Sequence, residues 1–270
     1  MLDKAKRFIA DRTGSADLAD GLIYVCQAGS VISGTNDETS DLDYRGIVFL
    51  DANYFLGLKS FEHTKLVGGT GKINAADDLD IELFSPRHFI KEAYHGEIVP
   101  FEMMYVSERF QLLRDDRVLP ILEARELFLS KALVKRYIGF IKGCCKRALV
   151  PADSLKRPDK IARAERYGYE TKEAMNAIKC ARLMIELLDT GDIRLYRRDR
   201  EDLLEIKRGK YKRDEYLVII DDLIAEAESK LHANAKLGNM PDFDQVNAFL
   251  KDYTMWLYKL GWHDAAGNLS

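Results

Sequence analysis

Apolar residues recur along this chain with two different periods, and the change from one to the other falls near residue 110. Before it, short runs of β-branched and aromatic residues separated by glycine and polar stretches predict strands; after it, apolar residues at three- and four-residue spacing predict helices. LDKAKRFIADR opens the chain as a helix with Leu2, Ala5, Phe8 and Ile9 on one side. LIYVCQA (22–28) reads as a buried strand closed by Gly29-Ser30. DLDYRGIVFL (41–50) reads as a strand with a charged beginning, DLDIELFS (78–85) as its neighbour, and VPFEMMYV (99–106) as one more. Between the first two, the middle of KLVGGTGKINAADD reads as a mobile loop, and Gly68-Gly69-Thr70-Gly71 within it as a flap near any site. Pro86 can open a helix that Gly96 stops.

Downstream, segments 124–149, 171–191, 200–209, 212–231 and 243–261 each carry helical periodicity and should pack as a bundle. Residues 150–170 are basic and weakly periodic, as expected of a surface loop or frayed helix. The expected class is therefore α+β: a mixed sheet with flanking helices in residues 1–110, then a helical bundle in 111–270 that completes a shared cleft.

Composition narrows the function classes. A 270-residue chain with 47% hydrophobic residues can bury a sizeable core. Lys and Arg total 41 against 44 Asp and Glu, so no global positive field draws it to nucleic acid, and any such binding has to be local. No run of about 20 apolar residues offers a membrane span, and Asp11, Asp17 and Asp20 come too early for a secretory signal. A cytoplasmic protein without a membrane partner is expected. Cys26, Cys144, Cys145 and Cys180 show no metal-ligand spacing and read as reduced, structural residues. The five histidines are scattered and are assigned no chemistry.

The informative stretch is AGSVISGTNDETSDLDYRGIVF. A strand ending in Gly29-Ser30 lets backbone amides and a hydroxyl face a phosphate. On the next strand the period of two puts Asp41 and Asp43 on one face, where paired carboxylates can hold divalent cations. Mg²⁺ takes hard oxygen ligands and sits between carboxylates and substrate phosphates, so the combination describes a nucleoside triphosphate site. A third carboxylate is expected from Asp80 or Glu82, which share a face of the neighbouring strand. Asp-x-Asp alone says little, since the chain also has it at Asp78/Asp80 and Asp242/Asp244. Arg45, on the same face, could instead neutralise a merely structural pair.

Gly-Ser, a short spacer, Asp-x-Asp on a strand and a further acidic strand together resemble the polymerase-beta-like nucleotidyltransferase superfamily. More narrowly, SDLDYRGIVF, DIELFSPRHFIKEAYHGEIVPFEMMYV and GYETKEAMNAIKCARLMIELLDTGDIRLYRRDREDLLEIKRGKY resemble blocks of the bacterial and phage RNA repair pathway DNA polymerase beta family. The resemblance implies a nucleotidyltransferase-like fold, two Mg²⁺ ions with Mn²⁺ as a substitute, and transfer of a nucleotidyl group from a triphosphate to an RNA end, tRNA-like or broken. It implies Asp41, Asp43 and Asp80 as catalytic and metal residues, and Gly29 and Ser30 at the phosphates. The family's Asn-Pro block reads Glu97-Ile98-Val99-Pro100-Phe101-Glu102 here, and its helix histidines are Glu173 and Asn176.

On the helix from Thr171, Lys172, Asn176 and Lys179 share one face opposite Ala174, Ala177, Ile178, Ala181, Met184, Ile185 and Leu188. Lys172 is expected at the triphosphate, with Arg45. Residues 142–166 hold an excess of Lys and Arg, and Tyr167 and Tyr169 beside them are available for stacking on bases, although ordinary surface charge explains such a segment better. The same residues also admit nucleotidylation of a protein or small molecule, or a non-catalytic nucleotide- or RNA-binding module.

Overall fold

A computed structural model describes residues 1–37, 40–68 and 79–266, with side chains as far as Lys259. In the first half the elements are α1 (Leu2–Thr13), α2 (Ala16–Asp20), β1 (Leu22–Gln27), α3 (Gly29–Ser33), β2 (Leu42–Val48), α4 (Ala52–Phe55), β3 (His63–Leu66), β4 (Leu79–Phe84), α5 (Pro86–Tyr94) and α6 (Ile98–Met104). There follow β5 (Gln111–Arg114), α7 (Leu119–Glu123), α8 (Lys131–Ala148), α9 (Pro158–Tyr167), α10 (Thr171–Thr190), α11 (Arg200–Lys207), α12 (Arg213–Ala233) and α13 (Phe243–Ala266). No helix among the described residues is long and apolar enough to cross a membrane.

The strands form one mixed sheet in the order β3-β4-β2-β1-β5. β2 and β4 run parallel and every other neighbouring pair is antiparallel. The sheet's last strand, β5, follows residue 110, where the sequence pattern placed the end of the α+β unit. Alternation along the strands sends side chains to two cores. Leu22, Val25, Tyr44, Val48, Leu79, Ile81 and Leu83 pack with Ala5 and Ile9 of α1. Ile47 and Phe84 belong to the larger core shared with α8, α10 and α12. The same alternation turns Asp43, Arg45, Asp80 and Glu82 toward the helical side, which is how a period-two pattern builds a polar wall there.

Three expectations are corrected. The segment 99–106 is not a strand: Ile98–Met104 is a helix with Pro100, Phe101, Met103 and Met104 buried. A continuous apolar run does not distinguish a buried strand from a buried helix, and Pro100 falls in the first turn, where a missing N–H costs no hydrogen bond. The helix expected at 124–149 breaks at Leu129, because the Ser130 side chain accepts from Leu133 N–H and caps a new helix, α8. Segment 150–170 contains the ordered helix α9, started by Pro158 and stopped by Gly168 at φ +80°. Of the expected flap only Gly68 falls within the described residues.

Candidate active site

The cavity between sheet and helices, about 1110 Å³, is lined on one side by Gly29, Ser30, Asp41, Asp43 and Arg45, and on the other by Lys172, Asn176 and Lys179 of α10. The two sets are 127 or more positions apart in the chain, and the fold brings them to one space. α8 contributes Lys135, Arg136 and Phe140.

β1 ends at Gln27, and the chain turns at Gly29 with φ +64°. Ala28 N–H donates to Asp43 O at 2.8 Å, tying the turn to β2. A Cβ on Gly29 would collide with Asp43 Oδ2, so glycine is required both by φ and by the carboxylate's approach. The turn is braced from within: Ser33 Oγ donates to Ser30 O at 3.1 Å, and Ser33 Oγ and Thr35 Oγ1 are 2.8 Å apart.

The parallel register sets Asp43 opposite Asp80 and Arg45 opposite Glu82. Burial, then the Asp80 and Asp41 carboxylates, hold the Asp43 carboxyl above its ordinary range, while Arg45 and Lys65 pull it down more weakly. Three carboxylates therefore share one electrostatic neighbourhood. Asp80 accepts from Gly68 N–H at 3.0 Å and stands behind Asp43, outside the cavity lining. Glu82 instead meets His63 Nε2 at 3.1 Å.

Arg45 donates from Nη1 to Glu102 Oε2 of α6 at 3.0 Å. Burial works against its charge, yet the Glu102 carboxylate holds the Arg45 pKa above its ordinary value. The aspartates are thus not absorbed in an ion pair with Arg45, whose closest partner is Glu102.

For a divalent cation the donor chemistry fits: the carboxylates are hard oxygen ligands, and Asp43 is already disfavoured as an anion by its two neighbours. Among the described residues, however, no three His, Cys, Asp or Glu side chains close into a single ligand set. Asp41 and Asp43 line the cavity, and Asp80 stands opposite Asp43 on the neighbouring strand with its Oδ1 accepting from the Gly68 amide.

Tyr169 is corrected as well. It is 1% exposed, its hydroxyl donates to Tyr211 O at 2.9 Å, and its ring stacks on Tyr216 at 5.3 Å, so it belongs to the core and offers no face to a base. Burial pushes its phenol up to about 12. The buried thiols of Cys26 and Cys144 are likewise pushed up to about 12 by burial, in keeping with structural cysteines.

Sequence reasoning missed Glu102, Arg136 and Arg197 in the cavity wall. Arg197 is 8% exposed, donates to Glu186 Oε2 at 2.5 Å and Asp199 Oδ1 at 3.0 Å, and its backbone N–H reaches Ser33 O at 3.3 Å. The arginine-dense run IRLYRRDR (193–200) between two helices was the signal for it.

An uncharacterized 38.9 kDa protein from the nrdC-mobD intergenic region of Enterobacteria phage T4 is 30% identical over 120 residues, covering 42% of this chain. The match covers 34% of that relative, about a third of its length. The crystal structure of a nucleotidyltransferase-like protein from Exiguobacterium sibiricum 255-15 aligns with 86% of this chain and 75% of its own, at 10% identity and a TM-score of 0.31. The model of the RNA repair pathway DNA polymerase beta family matches residues 7–252, and the chain belongs to that family.

Proposed function

We propose that the chain transfers a nucleoside monophosphate from a nucleoside triphosphate to a hydroxyl, on an RNA end, releasing pyrophosphate. The observation that carries the reading is the contact of Gly29 with Asp43 in a cavity faced by Lys172 and Lys179. Phosphates resting on the Gly29-Ser30 turn would meet backbone amides and the Ser30 hydroxyl, while the two lysines offset their charge. Asp41 and Asp43 would hold Mg²⁺ or Mn²⁺, and Asp80, with its charge against Asp43, would be the third carboxylate in preference to Glu82. Such ions supply charge neutralisation at the transferring phosphoryl group and at the leaving pyrophosphate. Arg45 is a positioning residue, held by Glu102 beside Asp43. Phe140, 43% exposed in the cavity wall, offers a face for the base.

The test is pyrophosphate release from each of the four ribonucleoside triphosphates with magnesium, with separate RNA, DNA, protein and small-molecule acceptors. Release that depends on RNA and disappears in Asp43→Asn supports the reading. Release with a protein or small-molecule acceptor would replace RNA as the acceptor, and triphosphate binding without release would make the chain a binding module.

A further inference from the structure

Five of the eight Lys and Arg side chains in the basic segment 142–166 are committed to carboxylates, which leaves Lys146, Lys156 and Arg166. Lys142 pairs with Glu228 at 2.6 Å, Arg147 and Lys160 with Glu173 at 3.0 and 2.9 Å, Arg157 with Asp159 at 3.1 Å, and Arg163 with Asp159 and Glu170. The reverse holds on the loop between α10 and α11. Arg194 and Arg198 are exposed there, and Arg109, exposed on the turn before β5, lies with its guanidinium 3.8 Å from the Tyr196 ring centroid. Among the described residues none of these three arginines has an acidic partner. Of the loop's two aspartates, Asp199 is held by Arg182 and Arg197, which leaves Asp192 against the exposed positive charge. Arg200 also lies over Tyr196, at 5.3 Å, with Glu201 3.5 Å away.

This patch borders the cavity. Leu195 and Arg197 of the same loop line it, Arg197 N–H bonds Ser33 O, and a Cβ on Gly34 would meet Tyr196 and Arg200. The loop therefore edges the Gly29-Ser30 turn.

We infer that Arg109, Arg194 and Arg198 form the docking surface for a single-stranded polynucleotide acceptor, with the arginines on its phosphates. Exposed arginines without acidic partners suit a strand that carries one charge per nucleotide. A strand lying across this loop would sit beside the part of the cavity wall that Leu195 and Arg197 form. The inference rests on the proposed transfer reaction and adds the place where the acceptor lies.

The test is fluorescence anisotropy of a labelled single-stranded oligoribonucleotide with the full chain, beside binding of a labelled triphosphate. The Arg109→Ala/Arg194→Ala/Arg198→Ala variant should bind RNA at least tenfold more weakly, with its salt slope lowered by about 2, and triphosphate affinity within twofold. Lys146→Ala/Lys156→Ala, in the segment 142–166 away from this loop, should remain within twofold. Because the three arginines are exposed, folding is checked by melting; if the triple variant does not fold, the single variant Arg198→Glu carries the same expectation. RNA affinity unchanged in the folded variant, an equal loss in the lysine control, no RNA binding by the wild type, or equal competition by polyglutamate each overturns the inference. Asp43→Asn should keep RNA affinity. Wild-type RNA binding without transfer would condemn the site reading alone, and transfer without loss in the arginine variants would condemn this one alone.

Discussion

The Asp43→Asn substitution removes a charge that burial, Asp80 and Asp41 all disfavour, while keeping the side chain's shape. Neighbouring strands lie about 5 Å apart, and one carboxylate pair at that distance with an effective permittivity of 20 to 80 repels by about 1–3 kcal/mol. Asp43 and Asp80 are each partly open to solvent, which selects the low end, about 1 kcal/mol. For a chain of this size that is a rise in melting temperature of about 2–4 °C. The sign follows from linkage. The folded-state pKa of Asp43 is raised, so its ionised form destabilises the native state at high pH. The gain from asparagine is full above that raised pKa and fades as pH falls toward the ordinary carboxylate value of 3.8. Transfer should fall by about 100- to 1000-fold, the effect of losing about 3–4 kcal/mol of transition-state stabilisation. Magnesium should raise the melting temperature of the wild type and not of the variant. Calorimetry from pH 4 to 8 and pyrophosphate release supply the readouts. A melting temperature lowered at pH 8 would show that Asp43 is a structural partner of Arg45, and transfer within tenfold of wild type would refute the catalytic role.

Other outcomes follow from the same geometry. Gly29→Ala should cost about 1–2 kcal/mol for the positive φ, and transfer should fall further because the new methyl displaces Asp43; denaturant unfolding and steady-state kinetics separate the two losses. Lys172→Ala should raise the KM for triphosphate about tenfold and leave the melting temperature unchanged, as expected if its charge acts on the substrate. Tyr169→Phe should lose about 1 kcal/mol of stability, since Tyr211 O loses its donor, with nucleotide and RNA affinities both within twofold of wild type. Glu102→Gln should lower stability by about 2–3 kcal/mol, a buried-pair loss reduced by partial exposure, because Arg45 keeps its charge without its counter-ion.

The local patterns that carry chemistry were legible along the chain. Gly29-Ser30 closes a strand because five apolar residues precede it, and Asp41, Asp43 and Arg45 share a face because extended backbone alternates. Lys172, Asn176 and Lys179 line the cavity because helical spacing puts them opposite a buried stripe. These facts depend on residues a few positions apart, so composition and period suffice to read them. What the tertiary structure alone decided involves partners far apart in the chain. The parallel register chose Asp80, over Glu82, to stand opposite Asp43. Glu102, 57 residues from Arg45, took up the charge that the sequence placed at the nucleotide or, alternatively, against the aspartates. Tyr169 went into the core on a contact with Tyr211, and Glu228 and Glu173 took up Lys142, Arg147 and Lys160 of the stretch that looked most basic. Charge and exposure are sums over every neighbour in space, and a one-dimensional pattern holds only the neighbours in line.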